Sequence, residues 1–474
     1  MSIKKFYATA DTTITNAYKE NLSTRATDSN MGLSDSLEVF FIYNQTAKTN
    51  PSAADKLEEA RILVKFDTAA ITTFYGGATA PANTKFVLKL TNAAHPFTLA
   101  RNYDLRVYHL GAPFVEGNGL DMESYKDVDV ASWTNSATGT AWATPGASPT
   151  PVFTDAISIA TQTFDTGTEN LEVDITEYID DIFDSTIAAD NGLLIAMSPT
   201  ITDGSQLNNF YTKKFFSRSS EFFFKRPVIE ARKTSFTGDD RGRFYKASPL
   251  TTSDVQSLYL YNTVSGAREN ITGVVALELF SDSTLATSIG TAAVTNPETG
   301  VYKATITIGS DVAATTIYEK WTADATTTIK TGSIKLLTRE PETNAGEIDY
   351  RIDITNMKPS YTREETAKFR LYTRAKDWNP TIYTVASKEV ENLIVEKAYY
   401  KIIRLVDEET VIKYGIGTSG TNKEHTLISY DASGSYFDFD MSLLEKGYMY
   451  GIKVMFSING ELKEQPEIFK FRVD

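Results

Sequence analysis

The sequence predicts an all-β protein of three antiparallel β-sandwich modules in series, with one short helix in the first module. Segments of strand length alternate apolar and polar residues along most of the chain, as strands do when they bury one face only. Strands of a parallel sheet covered by helices would instead be continuously apolar. Two polar stretches interrupt the alternation, and the 474 residues are about the number that three domains contain.

Five segments show the alternation most clearly. Residues 85–91 carry three apolar side chains at alternate positions, and residues 348–354 carry four. Further stretches of the same kind cover residues 61–66, 448–456 and 468–473. We therefore expect a strand in each, including one at the C-terminus, packed face to face in sandwiches.

One segment has a helical period instead. In Leu171–Asp184 four apolar residues fall at i, i+1, i+4 and i+5, and Asp174 or Thr176 can cap the N-terminus. We expect this helix to close one end of the first sandwich. The Asp190-Asn-Gly192 tripeptide that follows predicts a turn before an apolar strand over residues 193–197.

The two polar stretches, residues 234–243 and 338–346, are interpreted as linkers. They leave modules over residues 1–233, 244–338 and 346–474. The last two have the size of immunoglobulin-like sandwiches, whereas the first is about twice as large.

Composition excludes several classes of function. The chain has no cysteine and three histidines, so disulfides, cysteine zinc sites and thiol nucleophiles are excluded and histidine catalysis has few candidates. The net charge of −14 repels a phosphate backbone, so we expect no nucleic-acid partner. No apolar run reaches the ~18 residues of a membrane span, and the N-terminus lacks a secretory signal. We therefore expect that the chain is made in a cytoplasm and does not insert into a membrane.

No motif predicts an enzyme, a metal or a cofactor. Gly415-Ile-Gly-Thr-Ser-Gly420 has the spacing of a dinucleotide-binding loop, but a turn and a strand follow it rather than a helix, so we interpret it as a loop between strands. His109 is interpreted as a packed strand residue, and no nucleophile elbow is present. We interpret a set of acidic residues as a solvated face, with a calcium site as the alternative. These residues are Asp121, Glu123, Asp127, Asp129, Asp174, Glu177, Asp180, Asp181 and Asp184.

Charge is distributed unevenly in the first module. Residues 101–200 hold sixteen acidic and three basic side chains, whereas residues 201–233 hold seven basic and three acidic ones. We interpret the basic run as an internal or subunit-facing counterpart of the acidic stretch. Glu221-Phe-Phe-Phe224 is too apolar to leave in water, which predicts a buried strand or a subunit contact. The candidate docking surface comprises Lys213, Lys214, Arg218, Phe222, Phe223, Lys225 and Arg226.

Trp133 and Trp142 are candidates for a glycan contact or an interface. Large aromatic side chains stack on sugar rings and anchor interfaces, but their commonest use is core packing. All three interpretations remain open from the sequence alone.

With strands and helix in order, the first module resembles the DNRLRE-type β-sandwich family, which occurs in surface and secreted carbohydrate-associated proteins and in phage particles. The matching pieces are Ala10-Asp-Thr-Thr-Ile14, Arg61–Asp67, Lys85–Thr91, Leu105–Leu110, Trp133-Thr-Asn135 with Trp142, Leu171–Thr176, Asp190–Ile195, Phe215–Ser220 and Arg226–Ile229. In this series Ser219-Ser220 replaces the acidic residue of the family, with Glu221 one position later.

The last module resembles virion structural proteins of tailed phages. The pieces that carry this resemblance are Lys358-Pro-Ser-Tyr361, Lys376–Ile382, Tyr399-Tyr400, His425–Asp431, Gly434–Leu444 and Phe469–Val473. The two resemblances imply a structural component of a tailed phage (tail, neck or collar, fibre or capsid-attached element) assembled in the host cytoplasm. The implied partners are other virion structural proteins and further copies of the chain, following particle symmetry. The alternative is a tail protein that binds a host surface glycan.

Overall fold

A computed structural model describes residues 2–77, 79–95, 100–125, 127, 130–148, 158–187, 189–202, 210–247, 254–338, 349–382, 392–417, 421, 424–458 and 460–474. Contacts group the chain into two compact units, Met1–Thr234 with Gly417–His425 and Ser235–Ile416 with Thr426–Asp474. The predicted all-β class is confirmed, because strands dominate both units and nearly all of them pair antiparallel. The finer division into three modules stays a prediction, and most of its second linker lies outside the described residues.

The first unit contains two sheets. One has the order β1-β13-β5-β10, and the other has the order β12-β3-β4-β11-β6-β9, with β2 on β4. The two-stranded hairpin β7-β8 is separate. The strands are β1 Ile3–Tyr7, β2 Ala10–Thr15, β3 Ser36–Tyr43, β4 Leu57–Lys65, β5 Thr84–Leu90, β6 Tyr103–His109, β7 Asn135–Ala137, β8 Thr140–Ala141, β9 Ala160–Phe164, β10 Leu171–Asp174, β11 Leu193–Met197, β12 Phe210–Phe216 and β13 Val228–Lys233.

Alternation places the main core between these two sheets. In β5 the apolar residues Phe86, Leu88 and Leu90 all face this core and are fully buried. The opposite face of the larger sheet is also covered, because Leu63 and Leu194 lie there in a second, smaller core. The first unit is therefore a sandwich with an additional apolar layer on one outer face.

Within the described residues of the first unit three short α-helices join these strands, where the sequence predicted one. The predicted helix is α2 Thr176–Phe183, and the Asp174 carboxylate accepts a bond from the Thr176 N–H (3.0 Å). The additional helices are α1 Thr68–Phe74 and the four-residue α3 Pro199–Thr202. Helix α1 is only seven residues long and rich in threonine, so it shows little helical periodicity.

Asp190 connects the helices α1 and α2 to the start of β11 through hydrogen bonds. Its carboxylate accepts hydrogen bonds from the Tyr178 hydroxyl in α2, the Thr68 hydroxyl in α1 (2.8 Å) and the Gly192 N–H (2.9 Å). Gly192 has a φ of +103°, in the region that favours glycine. One side chain of the predicted turn thus holds both helices and the start of β11.

The second unit begins with a sandwich of the strands β14 Gln256–Tyr261, β15 Thr263–Val264, β16 Ala267–Arg268, β17 Val275–Phe280, β18 Ser288–Glu298, β19 Val301–Ile306, β20 Thr316–Ala323 and β21 Thr327–Lys335. The order is β14-β19-β18-β17-β20-β21, with β15-β16 as a separate hairpin. Strand β18 bends from one layer to the other, because its first half pairs with β17 and its second half with β19. The β17-β20-β21 layer corresponds to strands C, F and G of an immunoglobulin-like sandwich.

The remaining strands are β22 Tyr350–Ile354, β23 Ser360–Tyr361, β24 Thr366–Ala375, β25 Ala398–Arg404, β26 Thr410–Ile412, β27 Ser429–Asp431, β28 Gly434–Asp440, β29 Met449–Ile458, β30 Glu461–Glu464 and β31 Phe469–Val473. The two layers are β22-β24-β28-β27 and β23-β31-β29-β25-β26, with β30 on β29. The first layer corresponds to strands A-B-E-D of an immunoglobulin sandwich. In the second layer β31-β29-β25-β26 correspond to strands G-F-C-C′. Strand β23 pairs parallel to β31.

The boundary between the two units falls at the start of the first predicted linker, and residues 235–243 of this segment belong to the second unit. Its residue Gly238 forms a parallel bridge with Tyr430 of β27. Asp239 and Asp240 are buried, and the Asp240 carboxylate accepts bonds from the Ser257 N–H (2.7 Å) and the Tyr430 hydroxyl (3.2 Å). The polar composition of this segment reflects internal pairing rather than a solvated connection.

Candidate functional site

Most of the predicted docking surface lies on the turn that follows β12. Residues Phe223–Lys225 form one turn of 3₁₀ helix, so the prediction of a buried strand here was wrong. Phe222 is 45% exposed and packs edge-on against Phe216, with ring centroids 5.6 Å apart. The Lys225 ammonium lies 5.2 Å and 5.0 Å from these two ring centroids. We call residues 216–226 the cation–aromatic turn.

The inner half of this turn is anchored to the sandwich. The Phe223 ring lies 4.7 Å from that of Tyr7, at the end of β1, and the Arg226 guanidinium lies 5.8 Å from the Phe223 centroid. The Arg226 Nε–H donates to the Ser220 carbonyl (2.8 Å). These contacts fix the backbone beneath the exposed Phe222 ring.

Lys213 does not belong to this surface, although the sequence placed it there. Its side chain is fully buried, and its Nζ donates to Asn92 Oδ1 (2.6 Å) and to the Gly167 carbonyl (2.8 Å). Burial lowers the pKa of Lys213 to about 8. It cannot contact a partner, because a neighbouring loop already takes its hydrogen bonds.

Two other predicted cations are paired within the first unit. Lys214 pairs with Glu38 of the adjacent strand β3. Arg218 forms a two-point ion pair with Glu116, which belongs to the acidic stretch of residues 101–200. For Arg218 the prediction of an internal counterpart to the acidic stretch is confirmed.

The Arg218 pair also encloses a carboxylate that the sequence did not single out. Asp11, 1% exposed, accepts a bond from the Arg218 backbone N–H (2.7 Å) through Oδ2, while its own N–H donates to Glu116 (2.7 Å). Its Oδ1 is buried without a hydrogen-bond partner in the described residues. Burial raises the pKa of Asp11 to about 7, with the nearby Glu116 charge adding to the effect and the Arg218 N–H opposing it.

Asn30 is a second residue that sequence reasoning missed. Its buried amide donates to the carbonyls of Glu116 (2.5 Å) and Ala131 (2.8 Å) and accepts from the N–H groups of Gly32 (3.0 Å) and Gly119 (3.2 Å). Two long loops are thereby joined at one side chain. No local pattern signals this role, because the partners lie up to 101 residues away in sequence.

The two candidate tryptophans occupy different environments. Trp142 is buried in the smaller core, and its Nε1–H donates to the Ser132 carbonyl (2.9 Å), so it is a core residue and cannot contact a glycan. Trp133 is half-buried, and the Arg61 guanidinium lies 4.8 Å from its ring centroid. Arg61 in turn pairs with Glu59 (2.6 Å).

A shallow depression lies on the larger sheet of the first unit, lined by Phe40, Glu59, Ala60, Arg61, Ala196, Met197, Pro199 and Thr202. It is open to solvent and encloses only about 10 Å³, far less than the ~300–1,000 Å³ of most ligand pockets. It shares Arg61 with the Trp133 contact.

The other sequence motifs show no arrangement for catalysis. His109 is half-buried, with its ring 5.6 Å from that of Tyr178, and burial lowers its pKa despite the opposing Asp190 charge. Residues 418–420 of the glycine-rich loop, and Asp129 of the acidic group, lie outside the described residues. In the described ranges no three histidine, aspartate or glutamate side chains are close enough to hold a metal ion, and no helix could span a membrane.

Comparisons with known proteins give no family assignment. No protein-family model and no curated protein matches the chain. Among solved structures, tandem immunoglobulin domains of titin match at 9% identity with a TM-score of 0.16, over 49% of this chain and 91% of that chain. A marsupial T cell receptor matches at 9% identity and TM-score 0.16, over 49% and 71%. Similarities of this size support no statement about activity or partners, so the sandwich class rests on the strand order itself.

Proposed function

We propose that this chain is a non-enzymatic structural protein of a tailed phage particle, located in the tail, the neck or collar, a fibre or a capsid-attached element. It acts through protein–protein assembly, with other virion structural proteins and further copies of itself as partners. The observation that carries this proposal is the cation–aromatic turn, where the exposed Phe222 ring is held beside Phe216 and the Lys225 ammonium. Aromatic side chains fixed in this way are typical anchors of protein interfaces.

The assignment to a phage particle depends on the resemblances of the first and last modules to proteins of such particles. The sandwich scaffold supports an assembly role, because an exposed ring on a rigid element loses little conformational entropy when a partner covers it. The deeper titratable groups of the first unit, such as Lys213 and Arg218, are engaged in internal pairs. What the unit offers to a partner is therefore its shape and its exposed side chains.

Mass spectrometry of purified particles of the phage that encodes this chain tests the proposal, followed by a reconstruction that locates the chain. We expect the chain in intact particles, at a copy number set by particle symmetry. Its absence from washed particles would overturn the assignment. Incubating the protein with host polysaccharide tests the non-enzymatic part, which cleavage of the polymer would contradict.

Glycan binding during host adsorption is a second candidate, favoured by the depression next to Trp133 and Arg61. A glycan array probed with the full chain tests it. Binding that is lost in Trp133→Ala but kept in Phe222→Ser favours this candidate over assembly through the turn. The absence of binding to any host polysaccharide removes it.

A further inference from the structure

Two interlocked loops of the first unit, residues 16–35 and 111–125, carry exposed apolar side chains. Tyr125 is 68% exposed, Leu120 is 50% exposed, and Leu33 and Val115 are exposed to a similar degree. Isolated exposed apolar residues are ordinary, but four on adjoining loops form a patch. We call these four residues the loop face.

The loop face is held in one conformation by hydrogen bonds. The Leu33 N–H donates to the Gly119 carbonyl (2.9 Å), and the Leu120 N–H donates to the Tyr125 carbonyl (2.6 Å). The Asn30 amide ties both loops together from below. A surface already fixed in this way avoids most of the ordering entropy that flexible loops lose on binding.

Carboxylates surround the loop face. Asp35, Asp121 and Glu123 lie on the same loops and Asp127 lies two residues beyond them, and within the described part of the chain none of the four forms an ion pair with a basic side chain. The Asp121 carboxylate instead accepts backbone N–H bonds from Glu123 (2.7 Å) and two further residues. The apolar patch therefore has an acidic rim that favours a basic partner surface.

The cation–aromatic turn lies directly beside the loop face. The Ser217 N–H donates to the Asp35 carbonyl (3.1 Å), its hydroxyl donates to the Ser34 carbonyl (2.5 Å), and Arg218 pairs with Glu116. One surface is apolar with an acidic rim, and its neighbour is aromatic with the cations Lys225 and Arg226 and one exposed carboxylate, Glu221. The two surfaces are complementary in charge and adjacent on the same unit.

We propose that these two surfaces form a two-fold interface between copies of the chain, with the loop face of each copy covering the cation–aromatic turn of the other. A two-fold contact requires a self-complementary surface, and two adjacent patches of opposite character satisfy that requirement. The proposal rests on the proposed function, because it names a second copy as one partner of the assembly surface.

Sedimentation velocity of the full chain, from about 1 to about 100 µM, tests this interface. We expect a concentration-dependent dimer that is weakened about tenfold or more by Leu120→Ser or Phe222→Ser, since central apolar anchors dominate interfaces. Leu462→Ser is the matched control, because Leu462 is also 50% exposed but lies in the second unit. A monomer across this range, or equal weakening by the control, overturns the proposal.

A charge exchange tests the orientation of the two patches. We expect Asp35→Lys and Lys225→Glu each to weaken the dimer, because each places like charges opposite one another. The double variant should regain most of the lost affinity, because it places opposite charges together again. Double-variant dimers no stronger than the single variants contradict the arrangement. A monomeric chain that is still found in particles leaves the proposed assembly function intact, so the two failures are distinguishable.

Discussion

Each unit contains an arginine enclosed with two carboxylates, but the two clusters are completed to different extents. In the second unit Arg241 pairs through its guanidinium with both Asp239 and Glu319, the latter at 2.7 Å. Within the described residues of the first unit, the Arg218 guanidinium pairs with Glu116 alone, and the Asp11 carboxylate accepts a single bond, from the Arg218 backbone N–H.

The pKa directions reflect this difference. Burial raises the pKa of Glu319, but the hydrogen bonds and charge of Arg241 outweigh it and hold the pKa below its usual value. Burial also dominates at Asp11, where the opposing Arg218 N–H is too weak, and the pKa rises to about 7. The Arg241 cluster thus keeps Glu319 ionised, although burial outweighs the same guanidinium at Asp239 and raises its pKa. At Asp11 a single backbone N–H opposes burial, and the pKa rises to about 7.

Arg241→Ala is expected to have the largest effect. It takes the guanidinium from two buried carboxylates and leaves Glu319 with the partly exposed Lys330 ammonium at 3.2 Å, and breaking a buried pair costs about 3–5 kcal/mol in comparable sites. Calorimetry should show a lower unfolding temperature for the second unit, with faster hydrogen exchange in β20, where Glu319 lies beside Trp321. Arg351→Ala, at a largely exposed pair 3.6 Å from Glu467, is the control. A loss no larger than that of the control contradicts the role of Arg241.

Arg218→Ala is expected to destabilise the first unit by a smaller amount, about 1–3 kcal/mol, because water reaches part of this pair. The Arg218 side chain is 34% exposed and that of Glu116 15%. Hydrogen exchange should increase over residues 113–121, which Glu116 fastens to the sandwich. Unchanged exchange there would show that the Arg218–Glu116 pair does not hold the loop.

How far the sequence determines these features depends on the range of the contacts. Alternation predicted β5, β22 and β29 correctly, because the burial of alternate side chains is a local property of a strand. The acidic helix α2 was also predicted from a local pattern, the helical spacing of its apolar residues. The fold class and the positions of these strands can therefore be predicted from local sequence patterns.

Several side-chain environments could not be predicted, because they depend on residues that are distant in sequence. Lys213 looked like a surface cation, because its acceptors Asn92 and Gly167 lie 121 and 46 residues away in sequence. The Asp239–Arg241 segment looked like a linker, because Glu319 is 78 residues beyond Arg241. Trp142 and Trp133 are equivalent candidates for a glycan contact or an interface in the sequence, and only the structure shows that Trp142 lies in the smaller core. Polar residues that pair at long range resemble exposed ones in sequence.

Asp11→Asn tests the incomplete cluster through pH. The pKa of Asp11 is raised to about 7 from 3.8, so its contribution to stability is present at low pH and is lost as pH rises toward 7. The wild type should lose up to about 1.4 kcal/mol per pH unit relative to Asp11→Asn between about pH 4 and 7. Urea unfolding of both proteins at several pH values measures this difference, with Glu116 and Arg218 retained as the facing charges. Parallel pH profiles would show that Asp11 keeps its usual pKa.

Arg472→Ala is expected to have the smallest effect and calibrates the other variants. Arg472 pairs with Asp474 at 2.7 Å, as close as the Arg241–Glu319 pair, but both side chains are 53% exposed. Water already solvates these charges, so the loss should stay within about 0.5 kcal/mol and disappear at high salt. Urea unfolding at low and high salt measures it. A loss that approaches that of Arg241→Ala would mean that distance, rather than burial and completed pairing, sets the strength of these pairs, and the contrast between the two clusters would then need another cause.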